Sequence, residues 1–383
     1  MALHAHCIVH PDDIKFMLGT AWKADKTETI TLDGLRSGAI AIDTANQPIH
    51  YEEEAVGRAI HEFLMESNRS RDELFLQSKF TFPSHQRDSV PYKVEGRTVE
   101  MWVDDSFDQS LSHLKTNWLD SYILHGLISK DDSTISEDDL KAFNAMVALR
   151  HRGKTRYIGV SNINADQLRD LISKGDAVPN FVQNRFLAVG KNWDIDVRDV
   201  CNKYNIVYQA FSIVNGNKEL LHSKPIVRYA SHSGVSPGSL FSKFASLSHS
   251  IVLNGSPNHL SETIRYLEKE EMDFPYEYIL SLGIGNRESV SIQFQNFVDR
   301  PFQLYWLNDA NERVDNGIIK EGHKEFILNT KHAHRFEFVD ENDEIVVDFQ
   351  VNQNQGLHQI IELHANPEGI SLKPLLQFHH EEL

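Results

Sequence analysis

The sequence has few cysteines, no long apolar segment and no secretion-type start. Only Cys7 and Cys201 occur among 383 residues. Two cysteines are too few for a disulfide framework or a cysteine-based zinc site, and such usage is typical of a reducing compartment. The sequence contains no run of about 18 apolar residues, the length needed to span a bilayer. Its first residues, MALHAHCIVHPDD, lack the features of a secretion signal. We therefore expect a cytoplasmic protein without a metal site.

Basic residues are also in deficit. The chain carries 55 Asp and Glu against 38 Lys and Arg, which gives a formal net charge of -17. Nucleic acids and anionic lipid surfaces attract basic patches, so both are poor partners for such a chain. We expect no nucleic-acid partner and no membrane partner.

The first two thirds of the chain alternate short apolar runs with longer amphipathic runs. The amphipathic runs predict helices at Glu53–Glu66, Ser136–Arg152 and Asn164–Lys174, the last of which is stopped by Gly175. The predicted strands are Phe16–Ala21, Ala39–Ala45, Leu74–Phe80, Ser121–His125, Tyr157–Ser161, Phe181–Phe186, Ile206–Phe211 and Ile251–Asn254. Eight strands separated by helices predict parallel βα units in a closed (β/α)8 TIM barrel. An open doubly wound sheet fits the alternation too, but no G-x-G-x-x-G motif follows any strand.

The pattern changes near residue 272. Residues 272–288 mix proline, glycine and aromatic residues without a sustained period, so we interpret them as a linker or an extension. Beyond them apolar and polar residues alternate, for example over 290–295, 302–306 and 336–338, which is typical of an antiparallel β-sandwich. The predicted domains are a barrel over residues 1–271, a linker over 272–287 and a small all-β sandwich over 288–383.

Three ionisable residues end predicted strands: Asp43, Lys79 and His125. The reactive groups of (β/α)8 barrels lie at the C-terminal ends of the strands, so these three side chains should converge on one rim. Tyr51 follows the second strand, at the mouth of the next helix. In the alternative interpretation, Asp43 and Lys79 form only a buried structural ion pair.

These residues lie in stretches that resemble the aldo-keto reductase family: FMLGTAWK, AIDTANQPIHYEEEAVG, LFLQSKF, LDSYILHG, YIGVSN and FVQNRF. Their order and spacing agree over residues 14–265. The resemblance implies hydride transfer between a nicotinamide cofactor and a small carbonyl or alcohol. It implies that Tyr51 is the general acid, that Lys79 lowers the pKa of the phenol, that Asp43 holds Lys79, and that His125 aims the substrate oxygen. The family's usual spacing would put the acid at Pro48; extra residues in ANQPIHYEEE bring Tyr51, or His50, to that place.

The resemblance also implies a set of cofactor-binding residues. Ser161, Asn162 and Gln183 match positions that hydrogen-bond the nicotinamide carboxamide, and Phe211 matches an aromatic residue that stacks on the ring. The full set is Gly19, Thr20, Asp43, Ser161, Asn162, Gln183, Phe211, Ser212, Asn254, Gly255, Ser256 and Glu262.

The choice between NADP(H) and NAD(H) depends on the stretch VLNGSPNHLSETI. Its residues 254–256 replace the Lys-Ser pair with which the family grips the 2′-phosphate, and His259 stands where the family commonly has Arg. Glu262 matches the position that touches the adenine. Family habit favours NADP(H), and NAD(H) stays open. The alternative, in which Ser256-Pro257 simply caps a helix, is compatible with either cofactor.

Residues 288–364 resemble the β domain of the von Hippel–Lindau tumour suppressor, on the stretches FQNFVDRPFQLYWLN and NTKHAHRFEFVD followed by EIVVDFQV. The resemblance implies a sandwich that binds hydroxyproline in a peptide, with Trp306 at the pocket floor and His334 and Phe336 beside it. Asn316 stands where a tyrosine is expected, which weighs against hydroxyproline capture. Ordinary core packing is the alternative role for the aromatic residues. The tail GISLKPLLQFHHEEL is too short for a ligase-recruiting arm.

Three functional hypotheses result. In the first, the chain is an active oxidoreductase with an appended protein-binding module. In the second, the barrel is a degenerate scaffold and the β domain is an adaptor that binds a peptide or protein partner. In the third, the β domain covers the barrel mouth and replaces a substrate-lining loop. The sequence leaves the substrate itself open.

Overall fold

The computed structural model describes residues 9–87, 89–256, 258–269, 276–284, 290–308, 312–322, 326–330, 334–350, 358–366 and 369–375. The chain divides into two compact units, the first made of Met1–Leu187 with Asp194–Phe274 and the second of Ala188–Trp193 with Pro275–Leu383. The predicted domain bounds at 271, 272–287 and 288 stay predictions. Cys201 is buried and free, and Cys7 lies outside the described residues.

The first unit is built on a closed barrel of eight parallel strands, in which each strand pairs with the next and the last pairs with the first. This confirms the closed (β/α)8 barrel and excludes the open doubly wound sheet. No predicted strand bound is wrong by more than about two residues. The strands are β1 (Phe16–Gly19), β2 (Ala41–Asp43), β3 (Phe75–Phe80), β4 (Leu119–Leu124), β5 (Thr155–Ser161), β6 (Phe181–Arg185), β7 (Val207–Phe211) and β8 (Ser250–Asn254).

Amphipathic helices cover the barrel. In the second of them, predicted as amphipathic, Val56, Ile60 and Phe63 are buried. Gly57 allows this helix to approach the next one, because a Cβ there would lie 2.1 Å from the carbonyl oxygen of His113. Within the described residues no helix is long and apolar enough to cross a membrane. The helices are α1 (Thr27–Arg36), α2 (Glu53–Ser67), α3 (Val99–His113), α4 (Glu137–His151), α5 (Ala165–Lys174), α6 (Ile195–Tyr204), α7 (Lys218–Leu221), α8 (Lys224–Ser233), α9 (Pro237–Leu247) and α10 (Leu260–Leu267).

The helix α5 ends before Gly175, as predicted, but not in the left-handed conformation that glycine commonly gives a helix end. The φ of Gly175 is -75°. Glycine is needed there for space, because a Cβ would lie 2.9 Å from the carbonyl oxygen of Leu171 and 3.2 Å from the ring of Phe143.

The described residues of the second unit form one helix and two four-stranded sheets, ordered β11-β10-β13-β14 and β12-β9-β15-β16. Residues of both sheets, among them Phe294, Leu304, Phe338 and Leu363, form one buried apolar cluster. The β-rich character was predicted, and the sandwich arrangement stays a prediction. The elements are α11 (Tyr276–Ile284), β9 (Val290–Asn296), β10 (Phe302–Leu307), β11 (Arg313–Ile319), β12 (Phe326–Thr330), β13 (Arg335–Val339), β14 (Ile345–Gln350), β15 (His358–Asn366) and β16 (Gly369–Leu375).

Two features of the second unit differ from the sequence interpretation. β9 pairs with β15 in parallel, because alternation fixes which face of a strand is buried and not its direction. A helix, α11, lies within the predicted linker 272–287. Its stability comes from tertiary contacts rather than from a regular apolar period: Ile279 is fully buried, and the indole N–H of Trp193 donates to the carbonyl oxygen of Leu280 at 3.0 Å.

Candidate active site

Three strand ends and one loop carry the four predicted catalytic side chains at one end of the barrel. Asp43 is the last residue of β2, Lys79 is the second-to-last residue of β3, and His125 directly follows β4. Tyr51 lies two residues before α2. Asp43, Tyr51 and His125 line one cavity of about 440 Å³ at this end. Lys79 contacts Asp43 and Tyr51, so the structure brings the four side chains together.

Lys79 and Asp43 form a buried ion pair. The Lys79 Nζ donates to Asp43 Oδ2 at 2.6 Å and to the carbonyl oxygen of Thr44 at 2.8 Å. Burial alone would lower the pKa of Lys79, but the charges of Asp43 and Tyr51, and hydrogen bonding to both, raise it above its ordinary value. The lysine is therefore a permanent ammonium at neutral pH.

A layer of glutamines inside the barrel fixes the Asp43 carboxylate. Its Oδ1 accepts hydrogen bonds from Gln77 Nε2 at 2.7 Å and from Gln183 Nε2 at 3.0 Å. Gln77 and Gln209 also exchange side-chain hydrogen bonds across the barrel. Because every residue of this network is buried, Asp43 cannot swing away from Lys79 without leaving buried polar groups unpaired.

Tyr51 lies against both Lys79 and His125. The Lys79 Nζ is 4.9 Å from the centroid of the Tyr51 ring, and the Tyr51 and His125 rings meet edge to face at 5.7 Å. Burial raises the pKa of Tyr51, Lys79 lowers it, and Asp43 raises it again, so the net pKa is above the ordinary value. Lys79 therefore lowers the pKa of this phenol, in the expected direction, but burial outweighs the effect.

His125 is a neutral imidazole in this environment. Burial, followed by the charge of Lys79, holds its pKa well below the ordinary value. Its Nδ1 lies 2.7 Å from the hydroxyl of Thr81, and its carbonyl oxygen accepts from Asn162 Nδ2 at 2.8 Å. Thr81 thus holds the ring and Asn162 holds the backbone of the same residue, while His125 lines the cavity.

The extra residues before Tyr51 form a hydrogen-bonded turn. The backbone N–H of Tyr51 donates to the carbonyl oxygen of Gln47 at 3.0 Å, and the Gln47 side chain donates to the carbonyl oxygen of His85 at 2.9 Å. His50 points to the wall of the cavity, where its ring packs on Trp22 with centroids 3.6 Å apart. Tyr51, not His50, is the residue whose ring contacts Lys79 and His125.

The cavity wall formed by Asn162 and Gln183 offers hydrogen-bond acceptors. Gln183 Nε2 faces the Asp43 carboxylate and Gln209, which leaves Gln183 Oε1 directed away from them. Asn162 donates through Nδ2 to His125 and Ser161. Within the described residues neither amide oxygen has a hydrogen-bond donor, so both can accept from the amide of a nicotinamide carboxamide.

The aromatic floor of the cavity comes from the end of β7. Phe211 lines the cavity, and the guanidinium of Arg185 lies 5.3 Å from the centroid of its ring. Ser212 also lines the cavity, in a left-handed conformation with φ 59°. A planar ring could stack on the free part of Phe211.

Two glycine-containing loops meet at the edge of the cavity. A Cβ on Gly255 would lie 1.9 Å from the carbonyl oxygen of Gly19, so only glycine allows the ends of β1 and β8 to approach this closely. The neighbouring Thr20 is a structural residue here, because its hydroxyl donates to the carbonyl oxygen of Asp43 at 2.9 Å.

A second cavity of about 310 Å³ extends the first, since Val214, Asn254 and Ser256 line both. An elongated ligand such as a dinucleotide fits this arrangement. The sequence analysis missed four basic residues along the two cavities. They are Lys23, Arg185, Lys218 and His222. In a chain with a net charge of -17, this local excess of basic groups favours a ligand with phosphates. The available signal was a lysine shortly after β1, an arginine at the end of β6 and a lysine at the start of α7.

Glu262 and the predicted cap at 256–257 are placed differently from expectation. Glu262 Oε1 accepts from the backbone N–H of Ser236 at 2.8 Å and from the Ser239 hydroxyl at 2.7 Å. Burial alone would raise the pKa of Glu262, but these hydrogen bonds lower it to about 2. Among the described residues, Glu262 is absent from the walls of both cavities. α10 begins at Leu260 after a left-handed His259, so Ser256 is not its cap, and Pro257 lies outside the described residues.

The sequence model of the Aldo/keto reductase family matches residues 23–276. The chain belongs to this family. It is therefore an oxidoreductase that works with a nicotinamide cofactor. The matched residues stop short of the two sheets, so the resemblance of residues 288–364 to the von Hippel–Lindau β domain stays a prediction.

Individual relatives agree with this assignment. The chain is 29% identical over 224 residues to an aldo-keto reductase of Bombyx mori, covering 55% of this chain and 67% of that protein. It is 25% identical over 246 residues to glycerol 2-dehydrogenase (NADP(+)) of Saccharomyces cerevisiae, covering 58% and 72%. The crystal structure of an aldo/keto reductase from Brucella melitensis matches 70% of this chain and 94% of its own, with a TM-score of 0.56 at 22% identity, which supports the fold.

Proposed function

We propose that the barrel reduces a small aldehyde or ketone to the alcohol, or catalyses the reverse oxidation, with Tyr51 as the proton donor. The observation that carries this proposal is a phenol, a carboxylate and an imidazole lining one cavity, with an ammonium buried against the phenol and the carboxylate. A structural ion pair would need only two of these four groups.

Each residue has a distinct task in the proposed reaction. The nicotinamide cofactor supplies the hydride. Tyr51 holds its proton at neutral pH because its pKa is raised, and it donates that proton to the carbonyl oxygen as negative charge develops there. Lys79 stabilises the phenolate that remains, and Asp43 keeps Lys79 in place. His125, as a neutral imidazole, donates a hydrogen bond to the same carbonyl oxygen.

The cofactor proposal is NADP(H), with NAD(H) as the alternative. Asn162 and Gln183 would hold the carboxamide, and Phe211 would support the ring. Lys218, His222 and His259 line or border the second cavity, and these basic groups support binding of a 2′-phosphate. Relatives named for NADP or NADPH dependence point the same way.

The substrate proposal goes no further than a small carbonyl compound or its alcohol. Related proteins are named glycerol 2-dehydrogenase, aldehyde reductase and codeinone reductase, and these names share the carbonyl–alcohol chemistry without sharing one substrate. The test is a fluorescence titration of the full chain with NADPH and with NADH, followed by a screen of aldehydes, ketones and alcohols. Failure of both cofactors to bind would overturn the proposal.

For the second unit we propose a protein-binding role. Supporting it, the rings of Trp306 and His334, the two predicted pocket residues, lie 5.0 Å apart, and Phe336 is buried in the core beside them. The test is capture from matched hydroxyproline-containing and unmodified peptide libraries by the full chain; absence of any peptide ligand would remove this role.

We also propose a cytoplasmic location, supported by the scarcity of cysteine and testable by cell fractionation.

A further inference from the structure

Thr81 occupies a position from which it acts on the substrate-binding imidazole. It directly follows β3 and comes two residues after Lys79, so its side chain is directed to the same side of the strand. The hydroxyl of Thr81 lies 2.7 Å from His125 Nδ1, and the residue is 2% exposed. Thr81 is not among the predicted site residues.

The loop after β3 fixes Thr81 in this position. The backbone carbonyl oxygen of Thr81 accepts hydrogen bonds from the Tyr92 hydroxyl and from Gln86 Nε2. Gln86 Nε2 also donates to the carbonyl oxygen of Asn46 at 2.9 Å, which ties this loop to the one that carries Tyr51. The two hydrogen bonds to its carbonyl oxygen fix the backbone of Thr81, and so the position of its hydroxyl.

The hydrogen bond between Thr81 and His125 has one favourable direction. A neutral imidazole carries a proton on one nitrogen and accepts on the other. Within the described residues His125 Nδ1 is the one hydrogen-bond partner of the Thr81 hydroxyl. If Nδ1 carried the proton and donated it, the buried hydroxyl would have no acceptor for its own proton. The hydroxyl therefore donates, and Nδ1 accepts.

We propose that Thr81 is a positioning residue that fixes the tautomer of His125, so that Nε2 carries the proton and offers it to the substrate's carbonyl oxygen. Nδ1 is occupied by Thr81 and His125 lines the cavity, so Nε2 is the nitrogen left for the substrate. This inference rests on the proposed carbonyl chemistry for its catalytic consequence. The tautomer itself is a property of the protein alone.

The first arm of the test reads the tautomer directly. Two-bond ¹H–¹⁵N spectra of the ¹⁵N-histidine-labelled full chain distinguish Nε2–H from Nδ1–H imidazoles, and a His125→Gln variant assigns the His125 signals. We expect the Nε2–H pattern in the natural protein and in Thr81→Ser, and a population of Nδ1–H in Thr81→Val. An Nδ1–H pattern in the natural protein overturns the proposal without reference to any variant or to turnover.

The second arm measures NADPH-dependent reduction of propanal. Thr81→Val removes the hydroxyl and keeps the shape. We expect kcat to fall about 10- to 100-fold, somewhat less than complete loss of a donor to the carbonyl oxygen, with KM for NADPH unchanged and Thr81→Ser close to the natural protein. An unchanged kcat in Thr81→Val, or an equal loss in Thr81→Ser, overturns the proposal.

A matched control is Thr31→Val. Thr31 is fully buried in α1, and its hydroxyl donates to the carbonyl oxygen of Thr27 at 2.7 Å. This variant loses a buried threonine hydrogen bond away from the cavity, so kcat and the His125 signals should not change. If the natural protein itself fails to reduce propanal or any other carbonyl compound, the proposed function fails, and the spectra still decide the tautomer.

Discussion

Removal of one oxygen atom from Tyr51 gives the sharpest test of the proposed chemistry. General acid catalysis contributes about 10²- to 10⁴-fold, which corresponds to about 3–5.5 kcal/mol of barrier height. Tyr51→Phe should therefore lower kcat about 10²- to 10⁴-fold. The fold should tolerate the change, because Lys79 keeps Asp43 at 2.6 Å and the Thr44 carbonyl oxygen at 2.8 Å, and the phenylalanine ring keeps its contact with His125.

The assay has two readouts and one companion variant. NADPH binding, followed by fluorescence, should be unaffected in Tyr51→Phe, because the residues assigned to the carboxamide are Asn162 and Gln183. The whole loss of activity should appear in the rate of single-turnover reduction. His50→Phe, which retains a ring to pack on Trp22, should lose much less. The reasoning is refuted if His50→Phe abolishes turnover while Tyr51→Phe keeps more than about a tenth of it.

Three further predictions concern pH, space and a partly exposed carboxylate. Because the pKa of Tyr51 is raised above 10, the protonated acid persists at neutral pH, so kcat for reduction should stay flat from pH 7 to about 10 and fall only above it; a fall near 6.5 would indicate a histidine acid. Gly255→Ala should destabilise the chain by about 1–3 kcal/mol in urea unfolding and weaken cofactor binding, because its Cβ would lie 1.9 Å from the Gly19 carbonyl oxygen. The pKa of Glu262 is lowered to about 2, so its contribution is present above the ordinary carboxyl pKa and is lost as pH falls toward 2; Glu262→Gln should cost about 1–2 kcal/mol at pH 7 and little near pH 2.

Matched controls are available for the last two predictions. A Cβ on Gly126 would meet nothing closer than 3.9 Å, so Gly126→Ala should leave the midpoint of unfolding in place. Glu268 pairs with Lys15 in solvent, so Glu268→Gln should have almost no effect at either pH. If either control matches its partner variant, the local explanation given for that variant is wrong.

The barrel was predictable because its signals are local. Each strand is a short apolar run between amphipathic helices, and parallel strands with helical crossovers leave few topologies. Asp43, Lys79 and His125 could be assigned to one rim because every strand of such a barrel ends on the same side. The polar network of Gln77, Gln183 and Gln209 was not predictable, because each of these residues, taken alone, looks like a polar interruption in a buried strand.

Other features required the three-dimensional structure. The pKa of Tyr51 depends on a balance between burial and two charges of opposite sign, and a sequence gives the neighbours without the depth. The role of Thr81 depends on a contact between the ends of two strands. The helix α11 has no regular apolar period, and it depends on Ile279 and Trp193 being buried. In each case the decisive quantity is tertiary burial, which a local pattern does not contain.

The purely structural interpretation of the Lys79–Asp43 pair does not account for its surroundings. Burying an ammonium and a carboxylate is costly even when they pair, and an apolar pair of the same volume would be as stable or more stable. Here the same ammonium also lies 4.9 Å from the centroid of the Tyr51 ring, and that ring meets the His125 ring edge to face. An ion pair with a phenol and an imidazole beside it, at a cavity of about 440 Å³, is more than a structural pair requires. It is the arrangement expected where a proton must move to an oxygen that arrives from solution.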